Sequence, residues 1–235
     1  MKSICAIILA RGGSKGIPQK NIIDFCGKPL IAWSILQSKS SELINEVYVS
    51  SDDDDIIDIS CKYGSKVIRR PKELATDFST SEEALLHAIS VIERKMDIDL
   101  VVFLQATSPL RENKDIEGAL TEFRVQKVDS LFSAARLEDF FIWNRTPEGF
   151  KSMNYDYKNR IRRQDVEMQY VENGSIYIFK PSILKEYNNR LGGRIGIYEM
   201  EFWKTWEIDS MEDKELCEWY FSKKILKSIN NYNIP

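Results

Sequence analysis

The chain has 235 residues, 43% of them hydrophobic and 29% charged, so it can bury one full core. With 33 basic against 36 acidic residues, a net charge of −3, the overall charge gives no sign of a nucleic-acid-binding surface. No apolar run approaches the roughly 20 residues of a membrane-spanning helix, and the sequence opens on a strand with no basic, apolar leader, so the expectation is a cytoplasmic protein away from membranes.

The pattern then alternates. Ile4 to Leu9 is a short apolar run that reads as a buried parallel strand. A loop with three glycines and the cations Arg11, Lys15 and Lys20 follows it. Pro29 suits a helix start, with Leu30, Trp33 and Gln37 on one helical face. Glu46 to Ser50 reads as a second strand. Asp52 or Asp53 can cap a helix ending near Tyr63 and Gly64. Lys66 to Ile68 is a short strand. Thr80-Ser81-Glu82-Glu83 forms a capping box ahead of the stripe Ala84, Leu85, Ala88, Ile89 and Ile92. Leu100 to Leu104 is another buried strand, and Ile116, Ala119, Leu120 and Phe123 mark the next helix. Strands at Ser130–Ala135 and Ser175–Phe179 and a last helix over about Met211–Lys227 complete the series.

Repeated strand–helix–strand units predict a three-layer α/β/α fold with a mostly parallel sheet. Ligands in such sheets sit beyond the carboxyl ends of the strands. Between about 138 and 170 the period is lost, and Phe140, Phe141, Trp143, Phe150, Tyr155 and Tyr157 stand among charges. Exposed aromatics in an insertion suggest an arm that packs on a second copy of the chain. The reading is one domain over 1–235 with this insertion.

Cys5, Cys26, Cys61 and Cys217 are scattered and form no C-x-x-C pair, which favours buried thiols in a reducing compartment. The single histidine, His87, falls mid-helix beside the apolar stripe, so it reads as packing rather than catalysis. Asp52 to Asp55 point in different directions at a helix start and cannot converge on one ion, so capping and dipole compensation explain them better.

Chemistry concentrates in two loops, each just after a strand. The first, Ala10-Arg11-Gly12-Gly13-Ser14-Lys15-Gly16 and on to Lys20-Asn21, suits a polyphosphate: glycines admit backbone amides close to an anion and the cations neutralise it. It matches neither the P-loop nor the dinucleotide fingerprint. The second, Gln105-Ala106-Thr107-Ser108-Pro109-Leu110-Arg111, offers an amide and hydroxyls that can read a base or sugar edge.

Together with RRPKELATD (69–77), RRQD (162–165), NGSIYIF (173–179) and EIDS (207–210), these loops resemble the CMP-sialic acid synthetases, the N-acylneuraminate cytidylyltransferases. The stretches occur in family order and span nearly the whole chain. The likeness is nearest to the bacterial branch that activates nonulosonic acids such as legionaminic acid. It implies a Rossmann-like nucleotidyltransferase fold with a small dimerisation arm. It also implies transfer of CMP from CTP to the anomeric hydroxyl of a nine-carbon sugar acid, with release of pyrophosphate.

By the same resemblance, Arg11, Lys15, Lys20 and Asp209 carry catalysis. Ala10, Arg11, Gly12, Gly13, Asn21, Arg70 and Ser81 contact the nucleotide. Gln105, Thr107, Ser108, Arg111, Arg163, Gln164 and Asn173 serve the sugar acid, with Arg163 reaching across a homodimer and Arg111 equally open to a structural ion pair. Asp209 and Glu207 would hold Mg2+, with Mn2+ as a substitute. Many relatives have Asp-x-Asp where this chain has Glu207-Ile208-Asp209, and residues two apart on an extended segment share a face. Two rivals stand beside this reading: a synthetase for the eight-carbon 3-deoxy-manno-octulosonate, favoured less by the arm and the later motifs, and a nucleotide-sugar-binding protein without turnover.

Overall fold

The computed structural model describes residues 3–137, 140–160, 162 and 167–229. In chain order, strand β1 (Ser3–Leu9) leads to a small hairpin, β2 (Asp24–Phe25) and β3 (Lys28–Pro29), then helix α1 (Leu30–Lys39), β4 (Glu46–Ser51), α2 (Asp54–Lys62) and β5 (Lys66–Arg69). Next come α3 (Ser81–Glu93), β6 (Ile98–Gln105), α4 (Asn113–Val125) and β7 (Ser130–Arg136). A second hairpin, β8 (Trp143–Thr146) with β9 (Gly149–Ser152), precedes β10 (Tyr170–Phe179), α5 (Pro181–Tyr187), β11 (Ile195–Met200), α6 (Met211–Tyr220) and α7 (Leu226–Ile229).

Seven strands form one sheet in the order β11-β7-β10-β6-β1-β4-β5. Neighbours run parallel except β10, which is antiparallel to both β6 and β7. Strand alternation divides the core. Ala6 and Ile8 of β1 and Val102 and Leu104 of β6 face α1, α2 and α4, whereas Cys5, Ile7, Val101 and Phe103 face α3. A third cluster joins Phe25, Trp33 and Phe221, with Phe221 edge-on to both rings at 5.2 and 4.5 Å.

The helix starts follow their capping residues. Asp53 accepts from the Ile56 amide at 3.0 Å to open α2, and Thr80 with Glu83 closes the capping box of α3. Asp54 turns outward to Arg69, so Asp52, Asp53 and Asp54 go to different partners. The expected last helix is interrupted: Phe221–Ile225 form a π-helical turn between α6 and α7. The aromatic stretch folds as the β8–β9 hairpin, with Phe150 71% and Met153 65% exposed. None of the described helices is long and apolar enough to cross a membrane.

Candidate functional site

The parallel strands β1, β4, β5 and β6 end on one side of the sheet, and the loops that leave them converge there. Arg11, Lys20, Asn21, Ser81, Gln105 and Thr107 line one open cleft, floored by Leu9, Phe103 and Ala106. The two loops singled out in the sequence are therefore opposite walls of the same site.

The first loop is tied down from inside. The Ala10 amide donates to the Ser50 carbonyl at 3.1 Å, and the Asn21 side chain donates to the Arg11 carbonyl at 3.1 Å. Gln19 adopts a left-handed backbone, φ 52°, just before the short turn Lys20–Ile22. Lys20 then reaches Asp209 with Nζ 2.8 Å from Oδ1, closing a gap of 189 residues. Gly16 permits this approach, because a Cβ there would lie 2.7 Å from the Asp209 carbonyl oxygen. The Gly12 amide donates to Asp52 at 3.1 Å, while Gly13 is exposed. Arg11 and Lys15 both face Asp77, at 3.1 and 2.7 Å.

Arg70 is 5% exposed and stands at the end of β5. Its Nε donates to the Ser50 hydroxyl at 3.1 Å and its Nη2 to the Ser50 carbonyl at 2.5 Å. Burial lowers its pKa to about 10, which leaves it charged at neutral pH and oriented beside Asp52 and Arg11. Ser81 is the first residue of α3, so it presents a hydroxyl to the cleft at a helix N-terminus.

The second loop is held by a buried bracket. Arg111 has no exposed surface. Its guanidinium donates to the Ser34 hydroxyl at 2.7 Å, the Gln37 carbonyl oxygen at 3.2 Å, the Ser175 hydroxyl at 3.1 Å and the Gln105 backbone carbonyl. Gln37 in turn donates to the carbonyls of Pro109 and Arg111 at 3.1 and 2.7 Å. Arg111 thus braces the loop from beneath where a substrate contact was expected. Asn173 is similar: 1% exposed, it accepts from Ser133 at 2.6 Å and from the Ser175 amide at 3.2 Å. Its amide fixes the irregular register of β10 against β7 rather than opening onto the cleft. Arg163 and Gln164 lie outside the described residues.

The carboxylate segment docks on this loop. The Ile208 amide donates to the Thr107 carbonyl at 2.8 Å, which sets Glu207 and Asp209 on the cleft side. The Ser108 hydroxyl, 1% exposed, faces the Glu207 carboxylate without closing a full hydrogen bond. Burial, and then the neighbouring Asp209 charge, push the Glu207 pKa up.

Sequence reading missed Gly174. Its φ is +65°, and a Cβ there would lie 1.8 Å from Glu207 Oε1 and 2.7 Å from the Gln105 amide nitrogen. The glycine makes room for both polar groups, and only its backbone sign and its place in the bulge reveal this. Replacing Gly174 with Ala should cost roughly 1–2 kcal/mol in backbone strain alone and displace Glu207 and Gln105. A lower melting temperature together with impaired turnover is the expected result, read by thermal unfolding and steady-state rates.

Glu207 and Asp209 stand two residues apart, with Lys20 2.8 Å from Asp209 Oδ1, and this pair of carboxylates is a donor set that fits a dication. Mg2+ takes one or two carboxylates and completes its shell with substrate phosphates and water. Among the described residues no larger cluster of metal-ligating side chains exists.

A family model described as "Cytidylyltransferase" matches residues 5–228. The chain is 34% identical to the pseudaminic acid cytidylyltransferase of Campylobacter jejuni subsp. jejuni serotype O:23/36 (strain 81-176), over 98% of each protein. It is 37% identical to N-acylneuraminate cytidylyltransferase A of Danio rerio over 92% of this chain, and spans about half (50%) of that relative. A solved CMP:2-keto-3-deoxy-manno-octonic acid synthetase complexed with CTP superposes with a TM-score of 0.72 at 17% identity, covering 95% of this chain and 100% of that one. At that identity the likeness carries the fold alone.

Proposed function

From the premise that the chain belongs to the cytidylyltransferase family, and is thus a nucleotidyltransferase, we propose that it transfers CMP from CTP to the anomeric hydroxyl of a nonulosonic acid, releasing pyrophosphate. The contact that supports this most directly is Lys20 to Asp209, 2.8 Å, which joins the glycine-loop cation to the carboxylate segment within one cleft.

The division of labour follows from charge. Arg11, Lys15 and Lys20 face the triphosphate and neutralise the charge that grows on the departing pyrophosphate; preorganised charge of this kind usually supplies the largest share of the barrier reduction. Asn21, Arg70 and Ser81 hold the nucleotide. Gln105 and Thr107 orient the sugar acid so that its hydroxyl meets the α-phosphorus in line. Arg111 and Ser108 keep their loop in shape beneath it. Glu207 and Asp209 would hold Mg2+, or Mn2+ in its place. When bound, that ion supplies charge neutralisation at the phosphate oxygens.

The finer substrate reading is a legionaminic acid derivative or N-acetylneuraminic acid. Pseudaminic acid joins the comparison because a relative matched over its whole length is named for it. The protein is read as a cytoplasmic homodimer, supported by the exposed Phe150 and Met153 of the aromatic hairpin segment. Pyrophosphate release with CTP and Mg2+ should be seen with one of these nine-carbon acids and be weak or absent with 3-deoxy-manno-octulosonate. Turnover with the octulosonate alone would overturn the nine-carbon reading, and CTP binding without any release would favour the non-catalytic rival.

A further inference from the structure

Asp77 stands where a phosphate would be expected. One carboxylate bridges the two free-standing cations of the glycine loop: Oδ1 lies 3.1 Å from Arg11 Nη2 and Oδ2 lies 2.7 Å from Lys15 Nζ. Arg11 also donates through Nη1 to the Thr76 carbonyl at 2.6 Å, so the same turn holds it twice. The turn itself is stitched. The Thr76 amide donates to the Ser79 hydroxyl at 3.1 Å, and that hydroxyl donates to the Glu73 carbonyl at 3.0 Å. Thr80 then caps α3, whose first residue, Ser81, lines the cleft. Asp77 is therefore delivered to the cations by a short, internally bonded turn.

Both pairs are exposed. The side chains of Arg11, Asp77 and Lys15 retain 35%, 40% and 77% of their accessible surface. Exposed ion pairs of this kind contribute little, so the carboxylate is held in place yet easily displaced. Lys15 and then Arg11 keep the Asp77 pKa below the usual carboxylate range, so it carries its charge at neutral pH. Lys20 is not part of this arrangement, since it is paired with Asp209. Any phosphate that sits on Arg11 and Lys15 must displace Asp77, and a triphosphate that also reaches Lys20 must displace Asp209 there.

We propose that Asp77 is an internal competitor for the anion site, which every phosphate anion bound by Arg11 and Lys15 must displace and which returns to them as pyrophosphate leaves. This rests on the reading that Arg11 and Lys15 bind the triphosphate. The test is calorimetric titration of the whole chain with CTP, inorganic pyrophosphate and orthophosphate. Asp77→Asn should bind CTP, pyrophosphate and orthophosphate about two- to tenfold more tightly, each by a similar factor. Asp77→Glu should keep the original, weaker affinities, with the melting temperature unchanged in both because the turn is exposed. Unchanged or weaker binding of all three by Asp77→Asn, while Arg11→Ala still weakens CTP, would overturn the competitor and leave the triphosphate reading standing. Unchanged CTP affinity in Arg11→Ala would overturn the triphosphate reading itself.

Discussion

Replacing Lys20 with Ala should lower kcat by about 10²–10³-fold and leave the melting temperature nearly unchanged. The argument turns on where the charge sits. Lys20 leaves a short turn anchored by Asn21, so its ammonium is delivered to the cleft by a fixed backbone rather than by a wandering loop. Its partner, Asp209, is 75% exposed, and an exposed pair contributes up to about 1 kcal/mol to stability. Losing it removes little from the fold. In the reaction the same cation meets charge that grows as pyrophosphate departs, inside a cleft where water is partly replaced by protein, so its value rises in the transition state. Lys20→Ala should therefore act on kcat more than on the KM for CTP. A variant with unchanged kcat, or one whose melting temperature falls in step with its rate, would remove Lys20 from the catalytic role.

The parts of this site that the sequence made legible are those built from local chemistry. Glycines interleaved with cations after an apolar strand, a capping box at Thr80, and a hydroxyl-rich turn after β6 each state their geometry within a dozen residues. All three meet at the cleft. The parallel direction of β5, β4, β1 and β6 follows from alternation of strand and helix in the same way. What escaped depends on distant partners. Strand β10 was expected only from Ser175, yet it begins at Tyr170 and runs antiparallel, because its register is set by β6 and β7 and not by its own alternation. Helix α5 and strand β11 were not anticipated; α5 is only 7 residues long, too short for a clear period. Arg111 was placed at the sugar acid or in a structural ion pair, but its burial against Ser34, Gln37 and Ser175 depends on elements 64 to 77 residues away. Gly174, just ahead of the expected strand, carries no signal of its own until the Glu207 carboxylate is placed against it.

Lys204 had no sequence signal at all, and its loss should be the most damaging single change to stability. Its side chain has no exposed surface and its Nζ lies 2.8 Å from carboxylate oxygens of Glu112, Asp115 and Glu201. Asp115, at 2% exposure, also receives the Glu112 amide in the capping box of α4. Burial already pushes the Asp115 pKa up, so truncating the cation leaves a buried carboxyl that must either bear an uncompensated charge or take up a proton. Breaking one partner of a buried pair costs about 3–5 kcal/mol, so Lys204→Met should melt roughly 10 °C lower in a chain of this size. Replacing Asp115 with Asn in the same protein should recover part of the loss, since the uncompensated charge goes with it; removing the charge of Glu112, which is more exposed, should recover less. Activity should fall as well, for a geometric reason. Lys204 sits three residues before Glu207 and grips the helix that begins two residues after Arg111, so it fastens the carboxylate segment to the loop carrying Gln105 and Thr107. The second fastening, from the Ile208 amide to the Thr107 carbonyl at 2.8 Å, is a single hydrogen bond. A Lys204→Met protein with an unshifted melting temperature would mean that the buried carboxylates find other partners, and the fastening would then rest on Ile208 alone.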